Sequence, residues 1–324
     1  MQRRLRRVLV SLAMSAAVVA AASCHEGTAR QHVALGVSAL RISLPIFVAA
    51  EEGLFARHGL DVELRTYPTA QPMVDDVVLG RLDAAGYAAY PIVFLSSRGV
   101  ARPPRMVTSL VEDRDHRLSY VLARKGSGLH FPLDAPGKRI GILPTVAYQR
   151  WLDAILRAAK IDPASVKVVP LAPPLEGGSL ADGAIDFLFT NDPMATAALA
   201  SGHAEIADDG PPCATRLGAT FPFGGFVLSG ALVEDRPAIA AQLVAAIDEA
   251  IDRVRADPAA ARRAMTKYVR AEDRAWIDRY PGARYLRSTE TSPTWLADEA
   301  AHEKALGVID FAPAATSWTA PVAR

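Results

Sequence analysis

The chain has 324 residues, of which 50% are hydrophobic and 22% charged; this is a globular composition, enough for one large domain or two ordinary ones, and neither disordered nor fibrous. The net charge of +1 conceals an asymmetry: Arg3, Arg4, Arg6 and Arg7 precede any acid, and beyond the first 23 residues 32 basic side chains face 35 acidic ones, a net of −3. A mildly acidic body is a poor polyanion binder, so no nucleic-acid partner is expected.

The start of the chain carries the excess of base. The apolar run 8–22 is too short and too alanine-rich to span a bilayer comfortably, and residues 1–23 read as an export signal. Ala21-Ala22-Ser23 then lead into Cys24, which resembles a bacterial lipoprotein signal, although Ala21 stands where leucine is usual. In that reading Cys24 is diacylated and residues 24–32 are a lipidated tether, since two acyl chains anchor stably. The other cysteine, Cys213, has no partner left and reads as an inert thiol.

A regular alternation follows. Residues 33–37 form a short apolar strand. Pro45 opens a helix and Gly53 closes it, because proline suits a first helical turn and glycine the position after the last. Residues 60–65 alternate with period two, a strand with one covered face. A short helix over 71–79 ends at Gly80, and 82–86 is a third strand. This βαβαβ order implies a mainly parallel sheet flanked by helices. It returns as strands 138–142, 166–169 and 184–189, with helices over 147–160, 175–181 and 193–200. Trp151, Leu152, Ile155 and Leu156 share one helical stripe.

Both runs contain the same small signature, Gly80-Arg81-Leu82-Asp83 and Gly183-Ala184-Ile185-Asp186, which suggests two similar lobes. The apolar segments 118–123 and 225–229 are expected to cross between the lobes as strands. An alanine-rich tail follows, with helices from Pro237 to about 257, onward to about 270, around Trp276 and over 294–306. The expected partition is 33–117 for the first part of lobe 1, 118–228 for the hinge strands and an inserted lobe 2, and 229–324 for the return and C-terminal helices. Ligands of such sheets sit beyond the carboxyl ends of the strands, which places a solute in the cleft between the lobes. That is the geometry of a hinged binding protein.

The stretch from Pro45 to Leu64, with Val48-Ala49, Glu52-Gly53-Leu54-Phe55 and Gly59-Leu60-Asp61-Val62-Glu63, closely resembles the opening of the periplasmic solute-binding proteins of nitrate, sulfonate, taurine and thiamine-precursor ABC importers. Gly80-Arg81-Leu82-Asp83 and the strand entry Asp134-Ala135-Pro136-Gly137-Lys138-Arg139-Ile140-Gly141 look like the next landmarks of that family. Asn191-Asp192-Pro193 stands where many members have Glu-Pro. The resemblance covers roughly residues 33–267. It implies an α/β, two-lobed type II periplasmic binding protein fold that closes on a small solute and hands it to an importer permease. With the lipoprotein-like start, it implies a monomer outside the cytoplasm, in the periplasm or on the outer face of the cytoplasmic membrane, held by its lipid.

The candidate contacts lie in loops after strand ends. Arg41 is the one cation among them in the first lobe, suited to a carboxylate or sulfonate. Ser43 either meets the ligand or caps the next helix. Tyr67 and Gln71 border the loop after the second strand, and Tyr87 and Tyr90 flank an aromatic loop. Thr145 and Tyr148 stand at a helix start, Asn191 and Asp192 precede another, and Phe223 lies near the hinge. Aromatics and small residues outnumber cations here, which favours a solute with an apolar or aromatic portion over a bare inorganic anion. No phosphate cradle, dinucleotide fingerprint, nucleophile elbow or His-Glu-x-x-His occurs, and the seven histidines have no metal spacing, so neither cofactor, metal nor catalytic residue is expected. The cysteine-rich motif of the thiamine-pyrimidine enzymes on this fold is also missing.

Overall fold

A computed structural model describes residues 30–311; the export signal, Cys24 and the tail from 312 lie outside the described residues. The first βαβαβ run is β1 (Gln31–Ser38), α1 (Leu44–Glu51), β2 (Leu60–Tyr67), α2 (Ala70–Val78) and β3 (Ala84–Ala89), with α3 (Tyr90–Ser96) directly behind it. β1 lies between β2 and β3 and is parallel to both. Pro45 occupies the first turn of α1, and Gly53 takes the left-handed φ of 67° that only glycine adopts freely. β4 (Ser109–Glu112) closes this part of the chain.

The second lobe contains β5 (Tyr120–Arg124), β6 (Arg139–Ile142), α4 (Val146–Ala158), β7 (Lys167–Pro170), α5 (Glu176–Ala181), β8 (Phe187–Thr190), α6 (Met194–Ala200) and β9 (Ala204–Ile206). Its sheet runs β9-β5-β8-β6-β7, with β6 parallel to β7 and β8. The chain then returns through β10 (Phe221–Leu228), α7 (Pro237–Ala256), β11 (Arg284–Leu286) and α8 (Pro293–Ala305). The first sheet is ordered β11-β4-β10-β3-β1-β2, with the short strand Arg105–Met106 also paired to β10. Each sheet thus has a parallel core of three strands, extended by antiparallel ones.

The two segments expected to cross between the lobes do not cross as strands. β5 is held by β8 and β9 in the second sheet, and β10 by β3 and β4 in the first. Their unbroken apolar runs suit strands covered on both faces, and periodicity cannot say which sheet receives them. The crossings are made by the segments 113–119 and 207–220, tied together by Arg117 and Asp208 at 2.7 Å. The tail also differs from expectation: Pro258–Arg263 is followed by 3-10 turns over Ala264–Lys267 and Ala271–Arg279.

The repeated Gly-x-Leu/Ile-Asp signature has one mechanical role in both lobes. Asp83 accepts the Ala34 amide of β1 at 2.9 Å, and Asp186 accepts the Arg139 amide of β6 at 2.8 Å. In each lobe the carboxylate fastens the entry of the third strand to the first, and an arginine completes it, Arg236 on Asp83 and Arg139 on Asp186.

β10 is pressed between neighbours along its whole length. A Cβ on Gly225 would lie 2.3 Å from the Thr108 carbonyl oxygen, which is backbone and cannot swing aside. Gly225→Ala is therefore expected to lower stability by about 1–3 kcal/mol or more, as overpacking does. Gly177→Ala, where nothing lies within 4 Å, should stay near wild type in the same urea titration.

Candidate functional site

The loop after β1 and the loop after β8 meet across the cleft. Arg41, 2% exposed, donates from Nε to Asp192 Oδ2 at 2.9 Å, and Asp192 is equally enclosed. The remaining guanidinium protons go to carbonyls: Nη1 to Pro281 at 3.2 Å and Nη2 to Arg117 at 2.7 Å. The Arg41 amide also donates to the Asp192 carbonyl, and the Tyr285 hydroxyl donates to the Arg41 carbonyl. Asp192 Oδ1 accepts the Thr196 amide and hydroxyl, so it caps the start of α6 while it pairs with Arg41. Burial alone lowers the Arg41 pKa, but Asp192, Tyr120 and Tyr285 outweigh it and raise the pKa above its usual value. Arg41 is thus an inter-lobe clasp, with its charge already neutralised.

An aromatic seam lies beside the clasp. Trp151 of α4 packs on Tyr148 at 5.7 Å, on Phe221 at 5.4 Å and on Phe223 at 4.9 Å between ring centroids. Tyr148 also meets Phe189 at 4.8 Å. Trp151, Tyr148 and Phe189 belong to lobe 2, and Phe221 and Phe223 to the first sheet, so the seam is the apolar face of lobe contact. Thr145 accepts the Tyr148 amide and caps α4. Asn191 is buried at the end of β8, next to Asp192.

The other expected contacts are placed elsewhere. Ser43 is fully buried, lies 3.3 Å from the Ser38 hydroxyl and does not cap α1. Tyr87 is in β3 and Tyr90 opens α3, so the expected aromatic loop is a buried strand-to-helix junction. Thr108 donates to the Tyr87 hydroxyl at 3.1 Å, and Tyr90 donates to Ser109 at 3.0 Å. Tyr67 donates to Asp76 and stitches β2 to α2, while Gln71 donates to Asp75 on its own helix and to Ser96 of α3, all within lobe 1.

Among the described residues four glutamates are buried that were not foreseen. Glu112 accepts the Ser119 amide and hydroxyl and, at 3.5 Å, the Ala214 amide, which links the two crossing segments. Burial pushes it up to about 7 despite these donors. Glu176, at the start of α5, accepts the Thr190 hydroxyl, and burial pushes it up to about 8. Glu299 and Glu303 lie on α8, both raised by burial, with their mutual repulsion adding to the rise at Glu299. Glu303 accepts Trp151 Nε1 at 3.3 Å, so the C-terminal helix reaches the seam. An acid pair four residues apart ordinarily marks a solvated helix face, and the sequence holds no sign that this one is buried. Burial also drives the Cys213 thiol well above its usual pKa, which leaves it protonated.

The sequence model of the NMT1-like family matches residues 26–269. The nitrate import ATP-binding protein NrtC of Synechocystis is 29% identical over 181 residues, which are 52% of this chain and 27% of that protein, so the chain spans about a quarter of its length. The ligand-binding component of an ABC-type import system from Staphylococcus aureus, solved with zinc bound, superposes with a TM-score of 0.72 at 15% identity, covering 90% of this chain and 97% of the other. The periplasmic nitrate-binding protein NrtA of Synechocystis gives 0.69 at 16% identity, covering 89% and 84%. The desulfurization enzyme DszB gives 0.61 at 17%, covering 90% and 97%. These likenesses establish the type II periplasmic binding fold, on which both binding proteins and an enzyme are built.

Two outcomes follow from the buried charges. Arg41→Met leaves Asp192 buried without its partner and should cost about 3–5 kcal/mol in chemical denaturation, while Arg41→Met with Asp192→Leu should recover a large part of that loss. The second concerns pH. An unfolded glutamate titrates near 4.5, whereas folded Glu112 titrates at about 7, so the folded state binds the extra proton in between. Its contribution is full below about pH 4.5 and lost as pH rises through about 7. The stability of wild type relative to Glu112→Gln should therefore fall across that window and level off above it, as read from urea midpoints at successive pH values.

Proposed function

The chain belongs to the NMT1-like family, and from that premise we propose that it is an extracytoplasmic solute-binding protein that delivers a small organic solute to an ABC importer by closing its lobes. The observation that carries this reading is the clasp: a buried ion pair whose two members come from loops of different lobes. Two lobes that each keep their own sheet, and that touch through a buried ion pair and an aromatic seam, can part along that plane. The solute we infer is organic, with an apolar or aromatic part, because the seam offers rings and carboxyls. In this reading Cys24 carries the lipid anchor, and the chain acts as a monomer against a permease.

Catalysis is not part of the proposal. The buried Cys213 thiol is held protonated and enclosed, so it is a poor nucleophile. Delivery to a receptor instead of a permease would use the same closure, and nothing in the cleft favours it.

A thermal-shift screen of sulfonates, carboxylates, pyrimidines and lipophilic aromatics, paired with small-angle scattering, tests the reading. A true solute should raise the melting temperature by mass action, with about 2.7 kcal/mol of stabilisation at a hundredfold excess over Kd. It should also narrow the scattering envelope toward the closed form. A chain that responds to no compound and shows one unchanging envelope would sink the proposal.

A further inference from the structure

A cavity of about 380 Å³ lies beside the clasp, within the size range of small-molecule sites. The last turn of α7, the helical segment Pro258–Arg263, the loop 281–283 and β11 form most of its wall. Arg41 and Leu44 close it on the side of α1. Among the described residues no member of lobe 2 lines it, so it is separate from the aromatic seam.

The wall is unbalanced in charge. Arg41, Arg255, Arg262, Arg284 and His116 line it beside a single acid, Glu290. Arg41 is paired with Asp192, and Arg255 with Glu290 at 2.6 Å. Asp113 has to serve two neighbours, Arg284 at 3.3 Å and His116 Nδ1 at 2.8 Å. Arg262 stands apart. Its Nε is enclosed without a hydrogen-bond partner, and among the described residues no acid pairs with it. An enclosed donor of a charged group is costly to leave unmet, and native interiors leave few.

The surplus is cationic and borders a cavity, so the partner it suits is an anion. Arginine presents its N–H groups as a fork that matches oxygen pairs, best of all on carboxylate and phosphate. A single-charged anion answers Arg262 and no more. A phosphomonoester carries close to two charges at neutral pH and three terminal oxygens, so it can answer Arg262 and supply the share of charge that Arg284 lacks. The remaining wall is apolar, with Leu44, Val254, Leu286 and the buried Tyr285, and suits a short hydrocarbon or aromatic portion. We propose that this cavity binds a small phosphomonoester, with Arg262 and Arg284 as anchors of the phosphate and the apolar wall as the seat of the esterified group. The site goes beyond the solute-binding reading and does not depend on it.

The test titrates phenyl phosphate, inorganic phosphate and benzenesulfonate separately into the full chain at pH 7.5, by calorimetry. Phenyl phosphate should bind, and its affinity should fall as salt is added. Inorganic phosphate should bind more weakly, because it leaves the apolar wall unused. Benzenesulfonate, with one charge, should bind at least about tenfold more weakly than phenyl phosphate. Arg262→Gln and Arg284→Gln should melt near wild type, since Arg262 has no ion pair to lose and the pair of the half-exposed Arg284 is a surface one. Each should weaken phenyl phosphate by about tenfold or more. If neither phosphate binds, or if benzenesulfonate matches phenyl phosphate, the phosphate assignment is overturned. Inorganic phosphate that binds as tightly as phenyl phosphate would refute the ester, and binding that neither variant weakens would refute the site. Should one variant fail to fold, the other and the wild-type ranking of the three anions still decide. A blank solute screen leaves this site standing if phenyl phosphate binds and Arg262→Gln weakens it, and a failure of both phosphates leaves the solute-binding reading untouched.

Discussion

The shut cleft depends on one ion pair between lobes. Arg41 and Asp192 are each removed from water, and the cost of that removal is large unless every remaining proton and lone pair is met. Here they are met: carbonyls of Pro281 and Arg117 take the other guanidinium protons, and Thr196 takes the second carboxylate oxygen. Three segments far apart in sequence must therefore arrive together, from lobe 1, lobe 2 and the C-terminal turn. A pair built this way has no half-formed state of low energy. Either the loops meet and exclude water, or they part and both ions are hydrated, which is the bistability that a two-position cleft needs.

The sheets set where those loops stand. A strand held between two parallel neighbours delivers its carboxyl end to the same edge as theirs, and β1 and β6 hold that place in their lobes. Arg41 follows β1, and Tyr148 follows β6 on the first turn of α4. Asp192 follows β8, which is the partner of β6. Asp83 and Asp186, fastening third strand to first, hold that edge in register in each lobe. The hinge adds its own cross-links, Arg117 to Asp208 and the Ala214 amide to Glu112, which tie the two crossing segments together.

Most of the lobe architecture was legible in the sequence, because it is written in local patterns. Proline and glycine at the ends of α1, period two in β2 and the stripe on α4 each report a short-range cause. The doubled Gly-x-Leu/Ile-Asp was legible too, although its purpose, an amide captured across the sheet, needed the fold. Arg41 and Asp192 were each legible as candidates, but not as each other's partner, since 151 residues separate them. Tyr87 and Tyr90 misled because a polar hydroxyl beside alanines looks the same in a loop as in a buried junction, where Thr108 and Ser109 meet it. Glu176, Glu299 and Glu303 were illegible for the opposite reason. Acids are read as solvated unless a fold encloses them, and the partners that meet these, Thr190 for Glu176 and Trp151 for Glu303, come from distant parts of the chain.

The clasp and the buried acids divide the labour of the lobe contact. The clasp removes Arg41 and Asp192 from water together and meets their remaining protons and lone pairs, so its charge is neutralised where the lobes touch. The pocket that Arg41 borders is lined as well by Arg255, Arg262 and Arg284. At the acids burial does the opposite work: it raises the pKa of Glu176, Glu299 and Glu303 and so favours their neutral forms, and a proton between Glu299 and Glu303 lets one carboxyl donate to the other. A paired ion at the clasp and uncharged acids beneath the lobe contact are two ways of leaving no bare charge in the interior, and both are lost to water only where the chain opens.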